Sequence, residues 1–141
     1  MFLADINFWL ALAFQSHPKH VSAKGWFDRQ ADDSVFFCRM TQQGMLRLAT
    51  YRPIFKDEAV TMIVAWAIYD AFVDDPKVAV FEGEPIGIEL EWRNITSRST
   101  FSPKVWSDAW LAAFAKAAGL RVVTFDRGFA QYQGIQCVIL S

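Results

Sequence analysis

A chain of 141 residues, 53% hydrophobic and 21% charged, has the length and apolar content of one compact domain with a substantial core, and no room for a second. Its net charge of -1 excludes the broad basic surface of a non-specific nucleic-acid coat, so any RNA contact must be a local patch. Cys38 and Cys137 are too few for a disulfide framework and match no metal-ligand spacing, and neither a leader segment nor an apolar run of bilayer length is evident, so the expectation is a soluble, cytoplasmic protein with reduced thiols.

The chain opens with Phe2-Leu3-Ala4, a brief apolar strand closed by Asp5, and residues 7–14 continue as a helix that Asp5 or Asn7 can cap. Ser16-His17-Pro18 breaks that helix and opens a second, running to about residue 31, because proline is accepted in a first turn and serine can cap it. His17 and His20 lack a third histidine or a matched cysteine and read as solvated helix-start residues or contacts to another chain, not as metal ligands. After a turn at Asp32-Asp33, residues 34–38 form a second strand. A helix over residues 39–50 follows, with Thr41 expected as its N-cap and Met45, Leu46 and Leu48 facing the core. Residues 51–55 read as a linker, and Asp57-Glu58 as the start of a long helix to about residue 73. Val60, Ile63, Val64, Ala67, Ile68, Ala71 and Phe72 would give that helix one broad buried stripe, extended toward a partner by Trp66.

Asp74-Asp75-Pro76 makes a turn and residues 78–81 a third strand. Of the acidic residues that follow, Glu82 and Glu84 lie in a Gly/Pro turn, while Glu89 and Glu91 are about 200° apart around a helix, so a solvated face is expected, with Glu82 the best placed to reach a site. Residues 86–98 read as a helix and 97–103 as a loop. Residues 105–118 form an amphipathic helix stopped by Gly119, and residues 120–125 a buried strand that ends on Asp126-Arg127-Gly128. Residues 134–140 close the chain as an edge strand. The alternation of strands and helices predicts an α/β fold, a parallel sheet covered on both faces.

Such sheets take ligands at the carboxyl ends of their strands, where Asp5 and Asp126 stand. Asp108 lies in the first turn of the helix before the last buried strand, and a short antiparallel return brings that turn to the same edge. Three carboxylates about 4 Å apart repel by roughly 4 kcal/mol per pair at an effective dielectric of 20, so the cluster needs a proton or a cation. All-oxygen ligation favours Mg²⁺ or Mn²⁺ held by Asp5, Asp108 and Asp126, and phosphodiester hydrolysis is the reaction class that such a cation serves. Asn7 and Thr124 either orient this site or cap local backbone. Arg39, Arg47, Arg52 and Lys56 suit RNA phosphates or an acidic partner equally, and Trp9, Trp26, Trp106 and Trp110 suit base stacking less well than core packing. A nucleotide-binding Rossmann unit is excluded because no glycine follows the first strand, and a phospho-receiver domain because its paired carboxylates and late lysine are missing.

The stretches Asp5-Ile-Asn7-Phe-Trp9-Leu, Thr41-Gln-Gln-Gly-Met-Leu-Arg47-Leu, Trp106-Ser-Asp108-Ala-Trp-Leu-Ala-Ala-Phe-Ala and Thr124-Phe-Asp126-Arg-Gly-Phe129 resemble PIN domains, in the family's order and over nearly the whole chain. The likeness is to the toxin ribonucleases of VapBC-type toxin-antitoxin pairs. It implies a single domain over residues 1–141, a three-layer PIN-like sandwich with about five parallel strands, and a Mg²⁺- or Mn²⁺-dependent ribonuclease. Its implied partners are RNA, a cognate antitoxin and a second copy of the chain. The start of the helix at Thr41 contributes a glutamate in that family; here Gln42, Gln43 and Gly44 occupy the turn, none is acidic, Gln42 is the expected equivalent, and one negative charge is missing. A PIN-like domain that binds RNA or protein without cleaving is the alternative. The 16% aromatic content and the surroundings of Trp26 and Trp66 are where a partner surface is expected.

Overall fold

The computed structural model describes residues 1–141. Five strands, β1 (Phe2–Ala4), β2 (Val35–Phe37), β3 (Val78–Val80), β4 (Arg121–Thr124) and β5 (Cys137–Ile139), form one all-parallel sheet in the order β3-β2-β1-β4-β5. Seven helices accompany them: α1 (Ile6–Ala13), α2 (His20–Phe27), α3 (Arg39–Ala49), α4 (Arg52–Phe55), α5 (Met62–Val73), α6 (Ile88–Thr96) and α7 (Val105–Ala117). The predicted covered parallel sheet is the fold observed.

Strand alternation divides the interior into two cores. Phe2, Ala4, Val35, Phe37 and Val123 face a core shared with α1, α2, α3 and α5, while Leu3, Cys38 and Val122 face the core of α6 and α7. Trp9 stacks on Phe37 with ring centroids 3.7 Å apart, and Trp26 meets Phe2 edge-on at 4.9 Å. Trp26 is therefore buried core, which corrects the expectation that it marks a partner surface.

The α3 start differs from its predicted form. Cys38 occupies the N-cap position because its side chain belongs to the second core, and Thr41, one turn in, accepts from the Cys38 N–H at 3.0 Å and donates to the Cys38 carbonyl at 3.1 Å. The cap is thus supplied from inside the helix.

The long helix expected from Asp57 is broken. Arg52–Phe55 forms the short α4, Lys56–Glu58 a 3-10 turn, and α5 begins only after Thr61, whose hydroxyl accepts from the Val64 N–H. Its inward face is Ala65, Ile68, Tyr69 and Phe72, whereas Met62, Ile63 and Val64 are exposed. The expected buried stripe is therefore rotated, because on a helix apolar nearly all round the periodicity does not say which side meets the sheet. Trp66, about half exposed, does lie outside the core.

Candidate active site at the sheet's switch point

β1 and β4 are neighbours, yet the chain leaves β1 into α1 over one core and leaves β4 into a 3-10 segment (Arg127–Gln131) over the other. Divergence of this kind opens a crevice at the strand ends, where parallel sheets hold their ligands. Asp5 ends β1, and Asp126 follows β4 as the N-cap of the 3-10 segment.

Asp5 is buried and its carboxylate is held from three sides. Oδ1 accepts from the Ile6 N–H at 2.7 Å, which makes Asp5 the N-cap of α1; Oδ2 accepts from the Thr124 hydroxyl at 2.7 Å and from Asn7 Nδ2 at 2.9 Å. Asn7 also accepts from the Phe125 N–H at 3.1 Å, and Thr124 Oγ1 accepts from the Asp126 N–H at 3.0 Å. These bonds tie the end of β1 to the end of β4 across most of the chain's length. Both alternatives for Asn7 and Thr124, orienting a carboxylate and satisfying local backbone, describe the same four bonds.

Burial pushes the Asp5 carboxyl up from 3.8 to about 6 against the opposing pull of the Thr124 and Ile6 hydrogen bonds, and the charges of Asp108 and Asp126 raise it further. Asp108, half-buried in the first turn of α7, is also raised, by burial and then by Asp126. Asp126 is exposed; its Oδ1 accepts from the Gly128 N–H at 2.8 Å. A Cβ on Gly128 would stand 3.0 Å from that oxygen, so a larger residue there would push the carboxylate aside by a few tenths of an ångström. The three carboxylates thus share one field, and none forms an ion pair with Lys, Arg or His.

An all-oxygen anionic set without a protein counter-charge fits a hard divalent cation in chemistry. It is not a closed cage: no three carboxylate, histidine or cysteine side chains stand together at ligating separation. The donors are gathered to a region rather than locked on a point.

Gln42 is buried in the first turns of α3, but its amide oxygen is taken by the Arg39 guanidinium and no hydrogen bond joins it to the carboxylates. Gln43 is exposed. Gly44 presses on the start of α1, where a Cβ would meet Ile6 Cδ1 at 2.1 Å, so α3 reaches the site through Ile6, next to Asp5. His20 Nδ1 bonds the Ala11 carbonyl and His17 Nδ1 accepts from the Lys19 N–H, both structural roles. Glu89 pairs with Arg93 on the solvated face that was expected, whereas Glu91 is partly buried and its pairing with Lys116 is a contact between α6 and the end of α7.

Tyr132 was not legible as a neighbour of the acids. Burial, then Asp108 and Asp126, raise the Tyr132 phenol, while Arg98, its guanidinium carbon 5.7 Å from the ring centre, lowers it. Tyr132 closes the 3-10 segment after Asp126, and only the unpredicted fold of that segment brings it back beside the acids.

Acidic side chains collected where a parallel sheet changes direction put the chain among α/β proteins with an acidic site at the strand ends. The PIN domain family profile matches residues 2–135. Ribonuclease VapC41 of Mycobacterium tuberculosis is 43% identical over 145 aligned residues, covering 100% of this chain and 99% of that one, and Ribonuclease VapC31 of the same organism is 33% identical with 96% of each covered. The solved structure of M. tuberculosis VapC20, a sarcin-ricin loop cleaving toxin, superposes with a TM-score of 0.66 at 18% identity over 96% of each chain. VapBC-1 from nontypeable Haemophilus influenzae gives a TM-score of 0.68 at 14% identity, covering 98% of this chain and 96% of that one. The chain belongs to the PIN domain family, and its relatives place it with the VapC type.

Proposed function

We propose that this chain is a Mg²⁺- or Mn²⁺-dependent ribonuclease and the toxin of a toxin-antitoxin pair. Two relatives at 43% and 33% identity bear the name ribonuclease, and they match over essentially their full lengths. The observation that carries the reading at the level of chemistry is the Asp5 carboxylate, buried, raised to about 6, and acted on by Asp108 and Asp126 with no protein cation paired to any of them. A divalent ion bound there would supply charge neutralisation at a phosphodiester and a more acidic water.

The protein's own contribution is positional. The Thr124 hydroxyl and Asn7 amide fix Oδ2 of Asp5, the α1 N-terminus fixes Oδ1, and Gly128 fixes Asp126. Asp5, Asp108 and Asp126 serve as the ligands, with Asn7 and Thr124 as positioning residues. Gln42 stands where a fourth acid would be; its engagement by Arg39 makes it a neutral wall, and the cation is held by three charges rather than four.

No helix is long and apolar enough to cross a membrane. The exposed Met62, Ile63 and Trp66 on α5, with Ile54 on α4, support a homodimer surface, and the relatives' VapC type supports an antitoxin as second partner. Cleavage of RNA by the purified chain with Mn²⁺, and its loss with chelator, tests the function directly.

A further inference from the structure

Asp126 is the least secured of the three acids. Asp5 is buried and its carboxylate accepts three hydrogen bonds, whereas Asp126 is exposed and its carboxylate accepts one, from the Gly128 N–H to Oδ1. A carboxylate pinned at one oxygen turns with whatever carries the donor, so the position of Gly128 sets the direction in which Oδ2 faces. Gly128 belongs to the 3-10 segment Arg127–Gln131, whose own backbone bonds are long: the Phe129 N–H to the Asp126 carbonyl and the Tyr132 N–H to the Phe129 carbonyl both measure 3.3 Å. The turn does not hold itself firmly.

A chain of side-chain hydrogen bonds holds it from outside. Gln131 Nε2 donates to the Gly128 carbonyl at 2.9 Å, and Gln131 Oε1 accepts from Arg98 Nη1 at 3.0 Å. Arg98 is fixed in turn, its Nε donating at 3.1 Å to the carbonyl of Ile95, in the last turn of α6 and packed against the core of α6 and α7. Its guanidinium carbon also lies 5.7 Å from the ring centre of Tyr132, which ends the 3-10 segment in that same core. A planar guanidinium reaches two acceptors at once from one rigid group, which a lysine ammonium on a flexible stem does not. The links from Ile95 to Arg98, Gln131, Gly128 and Asp126 run without a gap, from a core-packed helix end to the carboxylate at the crevice.

We infer that Arg98 and Gln131 are positioning residues that fix the bearing of Asp126 for the cation, acting through Gly128. The inference rests on the ribonuclease reading above for the cation, while the clamp itself is a property of the metal-free chain. The two residues act in series because Gln131 carries both links: losing Arg98 loosens Gln131, and losing Gln131 leaves Arg98 nothing to pass on.

Arg98→Met and Gln131→Met keep a long side chain and remove its hydrogen bonds. In chelator, amide hydrogen exchange is followed by NMR at Gly128, whose N–H bonds Asp126, and at Ile6, whose N–H bonds Asp5. A hydrogen bond of ordinary net strength predicts exchange at Gly128 about threefold to tenfold faster in either variant, with Ile6 unchanged. The Mn²⁺ dissociation constant, read by electron paramagnetic resonance on the RNA-free chain, should rise by the same factor. Arg98→Lys should recover little of either effect, and the double variant should be no worse than Gln131→Met alone. On RNA, the Mn²⁺ concentration for half-maximal cleavage should rise while the rate at saturating metal is retained, because the Asp126 charge is still present. Unchanged Gly128 exchange and Mn²⁺ affinity in Arg98→Met overturn the inference, as do equal acceleration at Gly128 and Ile6, which is general loosening, and losses that multiply in the double variant. If Gly128 responds as expected but the wild-type chain binds no Mn²⁺ and cuts no RNA, the ribonuclease reading fails and the clamp stands; if the chain cuts with Mn²⁺ and Gly128 is indifferent, the reverse holds.

Discussion

Asp5→Asn should abolish metal-dependent cleavage and at the same time make the metal-free protein more stable at neutral pH. The folded carboxyl holds its proton up to about pH 6 while the unfolded chain releases it near 3.8. Because the folded state binds that proton more tightly, its contribution is fully present below 3.8, declines as pH rises toward 6, and is absent above. A difference of about two pH units at about 1.4 kcal/mol each gives a penalty of about 3 kcal/mol at pH 7.5. Asparagine removes that penalty but keeps one acceptor for the Ile6 N–H and remains a good N-cap. It also turns the other oxygen into a donor facing both Asn7 Nδ2 and the Thr124 hydroxyl, which costs about 1–2 kcal/mol, and gives up a charge at a helix N-terminus worth about 0.5 kcal/mol. The net expectation is about 0.5–1.5 kcal/mol of stabilisation at pH 7.5, roughly 2–5 °C in melting temperature for a domain of this size, shrinking to nothing or reversing near pH 4. Thermal unfolding in chelator at both pH values measures it. A variant less stable than wild type at pH 7.5, or a gain equal at both pH values, would refute the desolvated-carboxylate account.

Thr124→Val deletes the hydroxyl bonded to Asp5 Oδ2, so the Asp5 carboxyl should rise further, the acid limb of the rate profile should move to higher pH, and stability should fall by about 1–3 kcal/mol on urea titration. Gly44→Ala places a Cβ on Ile6 and should cost about 1–3 kcal/mol with reduced activity, since Ile6 adjoins Asp5; adding Ile6→Ala should recover activity if the clash is the cause. Gln42→Glu should lower the metal concentration for half-maximal cleavage, an effect enlarged by Arg39→Met because Arg39 otherwise pairs with the new carboxylate, whereas the exposed Gln43→Glu should leave it unchanged. Ile63→Asp on the bare face of α5 should drive sedimentation toward monomer without lowering the melting temperature.

The strands were legible because short β-branched runs such as Val122-Val123 favour an extended, buried segment, and the placing of Asp5, Asp108 and Asp126 toward one sheet edge because each stands at a strand end or in the helix turn returning to one. Orientation was not legible where apolar residues surround a helix, as in α5, since the sequence then holds no contrast between inside and outside. Thr41 misled because threonine satisfies a helix start from either side of it, and the choice was made by Cys38, whose place in the second core is a tertiary fact. Tyr132 came within the field of Asp108 and Asp126 through a 3-10 segment that carries no period for the sequence to show.

If the three carboxylates at the β1/β4 crevice hold a divalent cation for RNA cleavage, each of them is needed for it. Cleavage of RNA by the purified chain, titrated with Mn²⁺ for wild type and for Asp5→Asn, Asp108→Asn and Asp126→Asn, tests it most directly. Cleavage should show saturable metal dependence in wild type, none should remain in excess chelator, and each folded variant should lose at least about a hundredfold in rate, because each removes a full charge from one shared site. Equal cleavage with and without chelator, or wild-type rates in any two of the three variants, would contradict it.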